Sequence, residues 1–408
     1  MRIAVIGAGI VGLSTAFELA RDGHQVTVFE RRGAAAEEAS FACAGVLSPG
    51  LPGELIGGLF SRHATLKVGF PHSAGELAWL WHRHRAQQPE RASAHRSSLQ
   101  NLAVYSRDRL HQISADLKLE YERSDGHLVL LRSDKASKLI QSDLQRLRES
   151  AIAFQEIDPV QARKIETALN PDTPFFGAVY FPEHEVGNCR QFALLLKNEA
   201  QRLGVQFRFN TRVTQIQSAT GIALALEGES AAQAFDAAVL CAGLDSVRVL
   251  AALGLNIALL PMHGYSVSAT IRESLNAPRS VVTDQQHQVS ISRLGKRVRV
   301  TGGAELGGTP NTKSPAALAT LYKVLRDWFP GAASLSGGVQ EWKGARAMLP
   351  DGLPILGASG IAGVWLNLGH GTGGWALSCG SARILADLIG GTAPGPDISA
   401  LGISRISR

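Results

Sequence analysis

A chain of 408 residues, 45 % hydrophobic and 19 % charged, is too long for one ordinary core and too apolar for a disordered segment, so it reads as a globular enzyme of about two domains. The formal net charge of +6 suits an anionic ligand or an acidic membrane surface, but no long basic run accompanies it, which sets nucleic acid aside. Cys43, Cys189, Cys241 and Cys379 form no C-x-x-C pair, so they read as buried reduced thiols, with neither a zinc site nor a disulfide framework indicated.

The chain opens on an apolar strand, residues 3–6, which leaves no room for a signal peptide and predicts a cytoplasmic protein. Gly7-Ala8-Gly9-Ile10-Val11-Gly12 then supplies G-x-G-x-x-G, and residues 13–21 show helical spacing of apolar side chains. A second strand, Gln25–Phe29, ends in Glu30, whose carboxylate is placed to accept from ribose hydroxyls. Gly7 permits the tight turn, Gly9 lets the backbone approach a pyrophosphate, and Gly12 lets helix and strand pack closely. The helix N-terminus favours the phosphates. An acid at position 30 disfavours NADP, whose 2′-phosphate it would repel, and leaves NAD or FAD.

A loop over residues 40–49 leaves this first unit. Residues 51–70, LPGELIGGLFSRHATLKVGF, read as an ordinary loop and helix, with peripheral contact to a membrane left open by their mix of apolar and basic side chains. His82 and His84 in WLWHRHR have no third ligand, so no metal is expected there; Trp79 and Trp81 are expected to pack inward from one helix. Alternation and β-branched residues at 126–133, 177–183, 263–270, 287–303 and 335–347 predict an antiparallel sheet, with helices 101–117 and 316–328 packed against it.

Between these strands the chain returns to the first unit. Residues 191–203 form an amphipathic helix stopped by Gly204, with a strand from Val205. FDAAVLCAG, residues 235–243, is an apolar strand running into Ala242-Gly243, of the kind that rejoins a dinucleotide-binding sheet late in the chain; it makes FAD the better choice. The apolar stretch 249–262 is interrupted by Gly254 and Asn256 and is too short to span a bilayer. The expected architecture is α/β: a discontinuous Rossmann-like cofactor domain of residues 1–50, 190–260 and 344–408, and an α+β substrate domain of residues 51–189 and 261–343 built on an antiparallel sheet.

A second glycine-rich stretch, GHGTGGWALSCGSARILADLIGG, opens a helix at residues 369–391. With the N-terminal fingerprint, AGVLSPG at 44–50, RHATLKV at 62–68, YSRDRL at 105–110, GVQFRFNT at 204–211, HGYSV at 263–267, GARAMLPDGLPILG at 344–357 and LNLGHGTGGWALSCGS at 366–381, the sequence resembles the D-amino-acid oxidase superfamily, closest to its bacterial D-amino-acid dehydrogenases. The resemblance implies that one FAD, expected to be held non-covalently, joins the two glycine loops. Gly7, Gly9, Ile10, Val11 and Gly12 would meet its pyrophosphate, with Glu30, Arg31 and Val213 at the adenosine end and Ala242 and Gly243 beside them. Ala44, Gly45, Gly369, Gly371, Thr372, Gly373 and Gly374 would meet the isoalloxazine end. Amides at 371–374, where Trp375 begins a helix, would face the flavin where charge accumulates on reduction.

Oxidising an amino acid by hydride transfer to such a flavin needs an anchor for the carboxylate and a neutral amine. By resemblance Arg346 is that anchor, through two parallel bonds. Tyr265 is a second candidate for the same carboxylate, or closes the pocket, and His370 is expected to act through its main chain before its side chain. The product imine would hydrolyse to a 2-oxo acid and ammonia, and the resemblance implies a quinone or other carrier as electron acceptor. The close family reads NAG where Cys43-Ala44-Gly45 stands, GLRPM where residues 344–348 read GARAM, and a larger apolar residue at Gly373; these changes are expected to widen the pocket toward a bulkier or cyclic imino acid such as a proline-like substrate. An NAD-dependent dehydrogenase and a non-catalytic FAD electron-transfer subunit are the alternatives.

Overall fold

The computed structural model describes residues 1–48, 66–68, 74–219, 221–306 and 312–406. It opens with β1 (Arg2–Ile6), α1 (Ile10–Arg21) and β2 (Gln25–Phe29), as the fingerprint requires. Next come β3 (Val46–Leu47), β4 (Leu66–Val68), α2 (Ala74–Ala86), α3 (Pro89–Leu117), β5 (Ser124–Leu131), α4 (Asp134–Glu149), β6 (Gln155–Ile157), α5 (Pro159–Ile165) and β7 (Gly177–Val186). α6 (Cys189–Arg202) starts where the Asn188 side chain accepts from the Gln191 amide. It leads into β8 (Gln206–Arg208), β9 (Val213–Gln217), β10 (Ile222–Leu226), β11 (Gln233–Phe235), β12 (Ala237–Leu240) and α7 (Ser246–Ala252). The last third holds β13 (Leu260–Thr270), β14 (Val281–Asp284), β15 (Val289–Leu294), β16 (Arg297–Leu306), α8 (Pro315–Trp328), β17 (Gln340–Met348), β18 (Ile355–Ala358), β19 (Val364–Leu368) and α9 (Gly374–Ile389).

Six strands form one sheet in the order β18-β19-β12-β1-β2-β8. Neighbouring strands are parallel except at the β18 edge. On one face Leu13 and Phe17 of α1, Phe192 and Leu196 of α6 and Leu385 of α9 build a single core; on the other, Val213, Ile216 and Leu224 of the β9-β10-β11 sheet join Val249 and Leu250 of α7. Covered on both faces, β12 is buried at every residue, which is why it reads as an unbroken apolar run.

The second sheet runs β17-β13-β16-β15-β14-β5-β7-β3, with β4 on β16 and β6 on β7. Most pairs are antiparallel, but β14–β5 and β16–β4 are parallel, so the sheet is mixed where an antiparallel one was expected. Such parallel neighbours need long crossovers, and the chain between β5 and β14 provides one.

Three further expectations are corrected. β17 belongs wholly to this second sheet, and so does β3, so the expected boundaries at 344 and 50 cut through or past its strands. α3 carries Leu102, Ala103, Leu110 and Ile113 into the core shared with α1 and α9, not onto the second sheet; α8 does pack there, through Leu321, Val324, Leu325 and Trp328. Trp79 is fully buried but Trp81 is 54 % exposed, because residues two apart on a helix do not share a face. Most of residues 51–70, including Arg62, lies outside the described residues, as does the Lys67 side chain. Among the described residues no helix is long and apolar enough to cross a membrane.

Candidate active site

The turn from β1 into α1 is built by packing. Gly7 has φ +106°, and a Cβ there would lie 2.6 Å from the Cys241 carbonyl oxygen; one at Gly12 would lie 1.9 Å from the Gly7 carbonyl oxygen. Gly9 differs. The only atom within 4 Å of a Cβ there is Ser40 Oγ at 3.5 Å, so its backbone borders open space. Ser40 Oγ accepts from the Ile10 amide at 3.1 Å, and α1 starts with neither a side-chain cap nor an acid in its first turn. At the end of β2 the Glu30 carboxylate accepts from the Ala8 and Arg32 amides, both at 2.8 Å, which fixes it while each oxygen keeps a second lone pair. Arg31 pairs with Glu38 and with Asp245, and Arg212 meets Asp245 at 3.1 Å.

A cleft with about 1380 Å³ of empty space, part of it open to solvent, runs from this turn to the start of α9. Gly7, Gly9, Ile10, Val11, Glu30 and Arg31 line one end, with Val213, Ala242 and Gly243 along the wall. Gly369, His370, Gly371, Thr372 and Gly374 line the other end with Arg346. Gly371 has φ +54° and a Cβ there would strike Met348 Sδ at 2.4 Å, whereas a Cβ on Gly374 would meet only His370 Cβ at 3.8 Å. Two uncapped helix starts, an acid at the end of β2 and a cleft joining them fit FAD.

Four expected cofactor contacts stand off the cleft. Gly12 lies beneath the turn. The Ala44 carbonyl accepts from Ser292 Oγ at 2.8 Å, and the Gly45 carbonyl accepts from the Gly187 amide at 2.9 Å and from Trp375 Nε1 at 3.1 Å, so both residues tie the sheets together. A Cβ on Gly373 would approach Leu377 Cδ1 to 2.9 Å; a larger residue would press on α9, and its absence does not widen the pocket.

Arg346 and Tyr265 are on opposite faces of the second sheet. Opposite Arg346 in the ladder is Met262, and the Arg346 guanidinium lies over Gly264, where a Cβ would come within 2.8 Å of Nη2. Successive strand residues alternate faces, so Tyr265 points the other way, into the α8 core, where its hydroxyl donates to Glu305 and accepts from the Ser314 amide. Tyr265 is therefore withdrawn as a carboxylate contact. Arg346 is half-buried, and its guanidinium makes no hydrogen bond or ion pair to any described residue. Burial pulls its pKa down, with the Cys43 sulfur opposing. His370 is turned inward, with Nε2 3.1 Å from Ser381 Oγ, and burial lowers its pKa to about 4, so it is neutral at pH 7.

Cys43 lines the cleft as expected, and Ser40, Cys189, Thr211, Arg212, Asp245 and Asn367 also line it and were not expected there. Ser40 gave no signal because a loop hydroxyl reveals itself only when the loop folds back on α1. Cys43 stands where the resembled family has asparagine, which was the one available hint.

The profile of the family described as DAO, FAD dependent oxidoreductase, matches residues 2–388. The chain is 38 % identical over 416 residues to the D-amino acid dehydrogenase of Cereibacter sphaeroides strain ATCC 17023, an alignment covering 99 % of this chain and 95 % of that one; the same holds for its counterpart in strain ATCC 17029. The fold is similar to that of glycine oxidase from Geobacillus kaustophilus, with TM-score 0.80, 21 % identity and 99 % of both chains covered. It is also similar to that of L-proline dehydrogenase from P. horikoshii, with TM-score 0.77, 16 % identity and 99 % and 97 % of the two chains covered.

Proposed function

The chain belongs to the DAO family of FAD-dependent oxidoreductases, and from that premise we propose that it oxidises a D-amino acid to an imine, which water converts to a 2-oxo acid and ammonia. FAD, when bound, supplies the acceptor for the two electrons and the hydrogen leaving Cα. Glu30 would accept from the ribose, the amides around Gly9 and the start of α1 would hold the pyrophosphate, and the start of α9 would place partial positive charge at the other end of the cleft. The first sheet thus serves the cofactor and the second the substrate.

The Arg346 guanidinium in the cleft wall, without a hydrogen bond or ion pair among the described residues, carries this reading. A half-buried cation with no carboxylate bonded to it among the described residues is costly unless a ligand supplies one, and a guanidinium receives a carboxylate in two parallel bonds. His370, neutral and tied to Ser381, orients backbone and does not take the amine proton. The amine loses its proton to water, because a second positive charge beside Arg346 is unfavourable. We assign the electrons to a quinone or similar carrier, FAD binding as non-covalent, and the location as cytoplasmic with peripheral membrane contact.

Anaerobic addition of D- and L-amino acids to the purified holoenzyme tests this: bleaching of the flavin band by the D series only is expected, and no bleaching by either hand would sink it. A cyclic imino acid is the second reading, favoured by Ala345 and Ala347 in the cleft wall, and D-proline outpacing D-alanine would select it.

A further inference from the structure

Two of the four cysteines, Cys43 and Cys189, line the wall of the cleft. β3 pairs antiparallel with β7, Val46 opposite Val186 and Leu47 opposite Glu185. The Gly187 amide donates to the Gly45 carbonyl at 2.9 Å just beyond these strands, and Cys43 and Cys189 each stand two residues further along from that contact. The Cys189 thiol is close enough to act on the Cys43 sulfur. Both cysteines are reduced in this structure.

We propose that Cys43 and Cys189 form a redox-active dithiol in the wall of the cleft, which a hydroperoxide converts to a Cys43–Cys189 disulfide and a thiol reductant restores.

The surroundings divide the labour. Cys43 is half-buried, its carbonyl accepts from Arg299 Nη1 at 3.2 Å, and its sulfur is acted on by the Cys189 thiol, the Gly45 amide and the charges of Arg299 and Arg346. These donors and cations lower its pKa, and it is the less buried of the two sulfur residues, so it is the nucleophile. Cys189, the first residue of α6 and buried, is pushed up by desolvation and by Cys43, and so holds its proton until it resolves the intermediate. Cys241 and Cys379 are both pushed up to about 12 by burial, which leaves them inert.

In the first step the Cys43 thiolate attacks one peroxide oxygen. The S–O bond forms, the O–O bond breaks, and the departing alkoxide or hydroxide takes a proton from water. In the second step the Cys189 sulfur attacks the sulfenic sulfur; the S–S bond forms, the S–O bond breaks, and hydroxide leaves as water with the Cys189 proton. The two thiols lose two electrons in all and the hydroperoxide gains them.

The test is to treat the holoenzyme with stoichiometric hydrogen peroxide, then alkylate it in denaturant and map the peptides by mass spectrometry. The expected result is loss of two of four alkylatable thiols and a peptide pair linking Cys43 to Cys189, reversed by dithiothreitol. In C189S, Cys43 should be trapped as a sulfenic acid by dimedone. Four thiols still alkylated, oxidation beginning at Cys241 or Cys379, or Cys43 passing to the sulfinic acid in the wild-type chain without a cross-link would each overturn the proposal. The wild-type map needs no variant to fold and is read without turnover, so it fails or succeeds independently of the substrate.

Discussion

Arg346 is held by the residue that is missing beneath it. A Cβ at Gly264 would stand 2.8 Å from Arg346 Nη2, and one at Gly344, its partner across the ladder, would overlap the Trp342 ring at 1.6 Å, so the two glycines form a bare patch on which Trp342 and Arg346 lie. Replacing Arg346 with alanine removes two charge-assisted hydrogen bonds to a substrate carboxylate, each of the kind that contributes about 1.5–3 kcal/mol. kcat/KM should therefore fall by about 100-fold or more while the flavin spectrum is retained, and Arg346→Lys should restore only part of the loss because lysine offers no fork. Gly264→Ala is the subtler probe. Its methyl meets the far end of a flexible side chain, so the fold should persist with unchanged circular dichroism while KM rises; an unchanged KM would show that the guanidinium is not used in the orientation seen.

At the scale of elements, α1 is the hub. The spacing of its apolar residues was legible as a helix with one buried face, yet it is buried on nearly all sides, because α6 and α9 pack around a helix already seated on the sheet. That arrangement takes Glu18 out of water. Its carboxylate accepts from Arg109 Nε and Nη2 of α3 at 2.6 and 2.7 Å and from Arg383 Nη1 of α9 at 2.9 Å, so three helices meet on one fully buried acid. Nothing in the sequence marked Glu18, since its partners come from positions about 90 and more than 360 residues away. Glu18→Ala would leave the largely buried Arg109 without its carboxylate, while Arg383 keeps Asp22 and Asp387, and loss of one member of a buried pair costs about 3–5 kcal/mol. Denaturant unfolding should show that loss, and a cost below 1 kcal/mol would mean that water reaches Arg109.

Across the whole molecule, what could be read in advance was what local pattern determines: the fingerprint turn, the returning strand β12, the glycines that open α9, and the α/β architecture itself. The face on which Tyr265 lies, the cleft-side setting of Cys189, and the place of α3 depend on register and on packing between distant segments, which no local period encodes. The buried histidines belong to this second kind, and they set the acid limit of the fold. His127 and His370 are held neutral by burial, each with its pKa lowered to about 4, and His184, stacked on Phe181, is lowered well below its ordinary value by the same cause. In the unfolded chain all three titrate near 6.5, so between about pH 6.5 and 4 the unfolded state binds more protons, and stability must fall as the pH falls through that window, by about 1 kcal/mol per pH unit for each histidine. Asp284 adds a later loss: hydrogen bonds from His287 and Trp328 and the charge of Arg132 hold its pKa at about 2 against burial, so its contribution is complete above the ordinary carboxylate range and disappears as the pH approaches 2. Glu166, raised by burial, works in the opposite sense. Melting temperature measured on the holoenzyme should therefore decline from about pH 6.5 downward, before ordinary carboxylates protonate. His127→Gln, which keeps a polar partner for Thr283 Oγ1 but cannot titrate, should flatten that decline by about one histidine's share. Parallel profiles for the variant and the wild-type chain would show that His127 is already protonated in the folded state, and that the cavity around it admits water.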